Sequence, residues 1–264
     1  MTNDALQPLI SRAEQGDNEA IKKLGSYYWS GVVTDHSDID EAIKWYRKGA
    51  EYGYADCMYL SALLLHLAAH IERKTFSVET VEKQLSYLNE ALLYLDKLDK
   101  YPEYAEKAKS LRYEVMGSKG IAQYFWAQTA PDEFTEAARY RIGVYQYLKP
   151  AYQYVADKNV ALYLGLGIRE LLWPSLSNVA ASVSEEDKRL HVQVLIDCLN
   201  NYSSAIERPD LACVVLGLAF QYGDGCQINY NTAVYYYQLA TQYGADSSGF
   251  LNDFTETPYG WMPK

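Results

Sequence analysis

The sequence predicts an all-α fold, a right-handed α-solenoid of antiparallel helix hairpins that is irregular in its middle. An ordered series of small and large residues occurs once near each end of the chain. Self-similarity at a period in the thirties is typical of stacked helical repeats. Hydrophobic residues make up 49% of the 264 residues, which is enough to bury two helix layers. No useful length alternates apolar and polar residues as strands do, so no interior sheet is expected.

The first copy of the series lies near the amino terminus. Ala20, Leu24 and Tyr28 share one stripe of a predicted helix, and Gly25, beside Leu24, leaves a gap next to that large residue. The next predicted helix supplies the bulky Trp45 and Tyr46, which can fill the groove around the gap. Glycine suits the left-handed conformation that ends many helices. The glycines expected to end these two helices are Gly31 and Gly53.

The second copy repeats the same order near the carboxyl terminus. Leu216, Gly217 and Phe220 stand where the first copy has leucine, glycine and tyrosine, and Tyr236 and Tyr237 follow on the next helix. Expected glycine caps are Gly223, Gly225 and Gly244. The large rings that we expect to be structural are Tyr28, Trp45, Tyr46, Tyr236 and Tyr237.

These residues resemble the Sel-one-like repeat (SLR) family, relatives of the tetratricopeptide repeats. The resemblance covers residues 5–70 and 209–246 well and residues 71–208 faintly, so we expect degenerate hairpins in the middle. It implies one solenoid domain over residues 1–264 that works by binding another protein.

The residues after the last repeat, 247–264, carry aromatic side chains beside glycine and proline and do not read as helix. If such rings stay in water, the protein loses the favourable free energy of burying their apolar surface. We expect this tail to fold back and cap the last hairpin; the alternatives are insertion into the groove or contact with a partner. Its aromatic residues are Phe250, Phe254, Tyr259 and Trp261.

Helix starts and stops follow from capping residues and prolines. Ser77 is placed to cap one helix and Ser184 another, and residues 175–184 form the expected long loop. The predicted helices span residues 5–15, 18–30, 38–52, 55–72, 78–99, 102–116, 119–129, 132–148, 150–156, 159–173, 185–206, 209–222 and 230–243.

A cytoplasmic location is expected. Residues 1–15 lack a basic region followed by an apolar run, so they do not read as a secretory signal. The most apolar helix, residues 58–71, is too short to span a bilayer, so no membrane association is predicted. In some secreted members of the SLR family, a regularly placed pair of cysteines forms a disulfide within each hairpin. The cysteines of this sequence do not follow that pattern, because Cys57 has no second cysteine in its own repeat. Free, mostly buried thiols are therefore expected at Cys57, Cys198, Cys213 and Cys226.

The net charge of −10 narrows the class of partner. Repulsion from phosphates disfavours a nucleic-acid ligand. A basic protein would complement an acidic surface, although acidic surfaces also simply keep proteins soluble. The sequence leaves the oligomeric state open.

The sequence gives only weak evidence for a catalytic or metal-binding site. His66 and His70 lie one helical turn apart but lack a third ligand, so lining a groove or partial burial is the better interpretation than metal binding. Gly165 and Gly167 lack the rest of a phosphate-binding motif and indicate a packing notch. Helix capping accounts for the acids Asp35, Asp38, Asp40 and Glu41 better than calcium does. We expect no catalytic residue, no metal and no cofactor.

The resemblance implies that first helices line a concave binding face. Residues to either side of each leucine–glycine step are then expected to point into the groove. The predicted protein-binding residues are Lys22, Ser26, Trp29, Tyr59, Leu63, His66, Tyr140, Val144, Tyr147, Val214, Leu218 and Gln221. The specific hypothesis is a bacterial immunity protein that neutralises a toxin. The alternatives are an intracellular adaptor and, less favoured, a repeat-family hydrolase.

Overall fold

The computed structural model describes residues 3–72, 77–173, 183–202 and 205–264. Contacts group the chain into two compact units, Met1–Ala122 and Gln123–Lys264. Within the described residues the fold is all-α apart from one short hairpin of strands in the tail, as predicted. The single domain expected over residues 1–264 stays a prediction.

The first unit begins with a series of helices between Asn3 and Lys97 in which each packs on the next. Two 3₁₀ turns, Leu98–Lys100 and Pro102–Tyr104, lead into the last helix, inside which the unit boundary falls. The helices are α1 (Asn3–Glu14), α2 (Asn18–Trp29), α3 (Ile39–Glu51), α4 (Ala55–Glu72), α5 (Val78–Lys97) and α6 (Ala105–Ala127).

The second unit continues the helical pattern and ends in a two-stranded antiparallel sheet. Its elements are α7 (Glu133–Arg141), a π-helical segment (Ile142–Leu148), α8 (Lys149–Tyr154), α9 (Lys158–Leu171), α10 (Glu185–Tyr202), α11 (Pro209–Tyr222), α12 (Tyr230–Gln242), α13 (Ser248–Leu251), β1 (Phe254–Thr257) and β2 (Gly260–Pro263). Helix α11 packs on both α10 and α12, and α12 packs on β2. The tail therefore lies against the last hairpin.

Two predicted helix breaks are wrong. The break between residues 116 and 119 is absent, because α6 runs through Gly117. Ala108, Leu111 and Val115 are buried on one stripe, and Ala122 extends it one heptad further. A glycine inside a helix costs only about 1 kcal/mol, which this burial outweighs.

The break expected before Pro150 is also wrong, because helical structure continues from Glu133 to Tyr154. Proline cannot donate a backbone hydrogen bond and usually disturbs the turn before it. Here the preceding segment is π-helical, and the Lys149 amide donates to the carbonyl of Val144, five residues back. The wider turn accommodates the proline without ending the helix.

Local capping follows the sequence. Ser77 and Thr80 form a reciprocal capping box at the start of α5. Ser184 Oγ accepts from the Asp187 amide, and Asp38 accepts from the Glu41 amide at the start of α3. Most of the long loop expected at residues 175–184 lies outside the described residues.

Candidate protein-binding surface

The amino-terminal repeat is held together by a ring seated on a glycine. Tyr46 of α3 is 2% exposed, and a Cβ added at Gly25 of α2 would lie 2.5 Å from Cζ of its ring. At the next helix contact, Gly49 leaves similar room for the Cys57 side chain. Both close approaches require the absence of a side chain on the glycine. The notch predicted at Gly25 is confirmed.

A polar junction fixes the start of α2 against the start of α4. Lys22 Nζ lies 2.9 Å from a carboxylate oxygen of Asp56 and 2.5 Å from one of Glu19. These two carboxylates raise the pKa of Lys22. Asn18 Nδ2 donates to Asp56 at 3.4 Å, and Asn18 Oδ1 accepts from the Cys57 thiol at 3.4 Å. The junction therefore joins the first turns of the two helices.

Two rows of accessible side chains start at this junction. On α2, Lys22 is half-buried while Ser26 and Trp29 are exposed, Trp29 by 38%. On α4, Tyr59 and Leu63 are half-buried. These spacings of three and four place each row on one helix face. We call these five residues the α2–α4 surface.

His66, which was expected to line the groove, is buried at 9% exposure, so the expected accessibility is wrong. Its Nε2 lies 2.9 Å from Oγ of Ser118 on α6, which draws the ring inward. Nothing in the sequence connects two residues 52 positions apart, and only the packing of α4 and α6 reveals this contact.

The expected accessibility is also wrong for three residues of the second unit, which are buried. Tyr140 packs its ring 5.3 Å from that of Tyr124. Val144 fills the space that Gly167 leaves, so Gly167 forms the predicted packing notch. Leu218 belongs to a core formed with the tail. Whether any of the three contacts a partner stays a prediction.

The remaining predicted residues of the second unit are half-buried: Tyr147, Val214 and Gln221. Gln221 Oε1 accepts a hydrogen bond from the Tyr237 hydroxyl at 2.6 Å. Val214 packs against the same core as Leu218. Val214 and Gln221 therefore already make internal contacts.

The tail folds back onto the last hairpin, as predicted. Tyr237 stacks on Phe250 with ring centroids 4.9 Å apart, and Phe254 is 3% exposed. The Trp261 amide donates to Asn231 Oδ1 at 2.9 Å, which ties β2 to α12. The short helix α13 lies in a segment expected to be non-helical. We call the buried set the tail cluster: Leu218, Ala233, Val234, Tyr237 and Phe254.

The described residues offer little nucleophilic chemistry. The four cysteines are free, as expected, and Cys57, Cys198 and Cys213 are buried. Burial raises the pKa of each of these three thiols to about 12, so the thiolate is scarce near neutral pH. In the described part of the chain, no three His, Cys, Asp or Glu side chains are grouped as metal ligands.

A hollow of about 480 Å³ opens beside Leu9 of α1 and is lined by Arg12, Lys22 and Lys23. Arg12 pairs with Asp17, and Lys22 pairs with two carboxylates. Glu19 also lines the hollow, so its charge is mixed. No helix within the described ranges is both long and apolar enough to cross a bilayer.

The family model for the Sel1 repeat matches residues 18–54 and 210–242. No curated protein matches the chain. A crystal structure of a protective antigen present in uropathogenic Escherichia coli strains, displaying an SLR fold, is 15% identical at a TM-score of 0.33; the match covers 91% of this chain and 49% of that one. This chain thus spans about half the length of that antigen chain.

A Sel1 repeat protein from Oxalobacter formigenes is 15% identical at a TM-score of 0.22, with 95% of this chain and 91% of that one covered. Because both TM-scores are low, the family assignment rests only on the two segments that match the Sel1 repeat model. Those segments coincide with α2–α3 and α11–α12, the two hairpins in which a tyrosine sits on a glycine. Residues 18–54 and 210–242 thus each match the Sel1 repeat and each fold as a helical hairpin.

Proposed function

We propose that this chain is a non-enzymatic repeat protein that binds another protein through the α2–α4 surface. The observation that carries the proposal is the pair of accessible rows beginning at the Lys22–Asp56 ion pair, with Trp29 38% exposed. An exposed tryptophan on a rigid helix is a typical binding anchor, because it buries a large area with little loss of conformational entropy.

The partner we propose is a basic protein, and the specific function is that of a bacterial cytoplasmic immunity protein that neutralises a toxin. The net charge of −10 supports a cationic partner, since opposite charge accelerates encounter. Buried, weakly nucleophilic thiols support a binding role over a catalytic one.

Affinity capture from native lysate with the full chain as bait tests the binding proposal. Trp29→Ala should remove the partner or weaken its binding by at least about tenfold. Phe134→Ala is the matched control, because Phe134 is 76% exposed on α7 in the other unit. Equal capture by the wild-type chain and the Trp29→Ala variant would place the binding site elsewhere.

Co-expression with the captured protein distinguishes the two binding functions. Restored growth in the presence of a toxic basic partner supports immunity, and weaker binding as salt is raised supports its charge. Capture of several pathway proteins without toxicity supports the adaptor instead.

A further inference from the structure

One long stretch of the second unit lacks basic side chains. Residues 209–263, which span α11 to β2, contain no Lys, Arg or His, although the whole chain has 24 Lys and Arg residues and 4 His. The charged side chains of this stretch are Asp210, Asp224, Asp246, Asp253 and Glu256. Arg208 pairs with the first and Arg169 with the second, and the last three have no ion pair among the described residues. This stretch is therefore negative and supplies no cation of its own.

Exposed aromatic rings form a patch on α12. Tyr235 is 57% exposed, Tyr243 is 38% exposed, and Leu239 lies four residues from each, so the three side chains share one face of the helix. Tyr235 packs edge-on against Tyr236, with ring centroids 5.2 Å apart. Tyr236 in turn stacks on Phe220 of α11, with ring centroids 5.8 Å apart. We call these five residues the α12 aromatic surface.

The matching ring of the amino-terminal repeat is covered by a cation of the chain itself. Lys48 Nζ lies 5.6 Å from the ring centre of Trp45 on α3. Helices α3 and α12 align without a gap, so Tyr236 corresponds to Trp45 and Leu239 to Lys48. In the described part of the chain, each lysine or arginine that lies over a ring falls between residues 23 and 173. The α12 aromatic surface therefore lacks the cation that its counterpart has.

We propose that the α12 aromatic surface binds an arginine-rich segment of another protein. A guanidinium group stacks on an aromatic face and is attracted by the negative charge density of that face. The carboxylates of residues 209–263 add long-range attraction for a cationic segment, and no basic residue of that stretch opposes it. An acidic segment would be repelled, and a purely apolar segment would gain nothing from the carboxylates. Charge complementarity thus selects a cationic occupant.

This inference goes beyond the proposed function, because it assigns a second contact surface. The α12 aromatic surface belongs to the second unit, whereas the α2–α4 surface belongs to the first. Trp29 and the rings of α12 are substituted in separate variants, so a negative result at one surface leaves the test of the other unchanged.

Fluorescence anisotropy of a fluorescein-labelled peptide of alternating arginine and glycine, titrated with the full chain, tests the proposal. The double variant Tyr235→Leu, Tyr243→Leu keeps the net charge and the apolar character of the surface but removes two exposed rings. It should bind the peptide about 4- to 25-fold more weakly, since one exposed cation–π contact contributes roughly two- to fivefold. Tyr259→Leu, at a ring 94% exposed on the tail, is the matched control and should bind as the wild type does.

A second pair of variants uses the comparison of the two repeats. Leu239→Lys places a cation where the amino-terminal repeat has Lys48, so it should weaken peptide binding by covering the ring of Tyr236. Thr255→Lys adds the same charge at an exposed position of the tail and should weaken binding less.

Three results would overturn the proposal. The first is no saturable binding of the peptide to the wild-type chain. The second is equal binding by the wild type and the double leucine variant, which would show that charge alone attracts the peptide. The third is equal weakening by the two lysine variants, which would place the peptide away from α12.

Discussion

In the amino-terminal repeat Gly25 makes room for the ring of Tyr46, and in the carboxy-terminal repeat Gly217 makes room for the ring of Tyr237. Both tyrosines are almost fully buried, at 2% and 0% exposure. A glycine on the first helix and a ring on the second therefore bring the two backbones together in the same way at both ends of the chain.

The two repeats differ in how exposed the residues after the glycine of the first helix are. Ser26 follows Gly25 directly and is exposed, whereas Leu218 follows Gly217 and is buried in the tail cluster. Trp29 is 38% exposed, whereas Gln221, at the matching position, accepts a hydrogen bond from Tyr237. The first hairpin thus leaves Ser26 exposed, whereas the second buries Leu218, because the aromatic tail packs on the second hairpin.

The largest loss of stability should come from weakening the contact between the tail and the carboxy-terminal repeat. Phe254→Ala removes a 3% exposed ring that packs near Tyr230 and Tyr237, and should lower the free energy of unfolding by about 3–5 kcal/mol. Urea denaturation of the full chain measures this. Tyr259→Ala, at a side chain 94% exposed in the same hairpin of strands, is the control and should change stability by less than about 0.5 kcal/mol. Equal losses in the two variants would show that the tail does not cap the repeat.

Truncating the matching row residues should give unequal results. Leu218→Ala leaves a cavity in the tail cluster and should cost about 2–5 kcal/mol. Ser26→Ala changes an exposed position and should stay within about 0.5 kcal/mol. Denaturation midpoints of the two variants check this, and similar shifts would contradict the contrast between an open and a covered row.

Filling the two glycine notches should give similar losses. Gly25→Ala and Gly217→Ala each place a methyl group against a buried tyrosine ring and should cost about 1–3 kcal/mol, despite the better helix propensity of alanine. Gly249→Ala is the control, because a Cβ there meets nothing within 4 Å. Thermal unfolding measures all three. A loss at only one notch would break the equivalence of the two repeats.

The smallest difference should come from the two hydroxyl groups. Tyr237→Phe removes the hydrogen bond to Gln221 and should cost about 1 kcal/mol. Among the described residues the Tyr46 hydroxyl makes no hydrogen bond, so Tyr46→Phe should cost less. A double-mutant cycle of Tyr237→Phe with Gln221→Ala isolates the coupling, and zero coupling would remove this distinction.

Sequence patterns predicted the repeats because their determinants are local. Gly25 and Tyr46 keep nearly the same spacing as Gly217 and Tyr237, and the capping serines stand directly before the helices they cap. The break at Gly117 was predicted wrongly, because a propensity of about 1 kcal/mol is easily outweighed by burial.

The candidate surface was only half predictable. Ser26 and Trp29 lie where the repeat spacing placed them, whereas Tyr140, Val144 and Leu218 are buried by neighbours that no spacing rule identifies. Each of those neighbours belongs to another helix or to the tail. The repeat spacing does not predict which element packs against a given residue.

By itself, the sequence determined the hairpins, their glycine notches and the return of the tail, since each follows from backbone freedom, side-chain volume and the cost of exposed rings. Only the tertiary structure decided which row stays open and that His66 turns inward to Ser118. The physical reason is sequence separation. Helix periodicity depends on residues a few positions apart, whereas these outcomes depend on contacts between elements that are far apart in the chain.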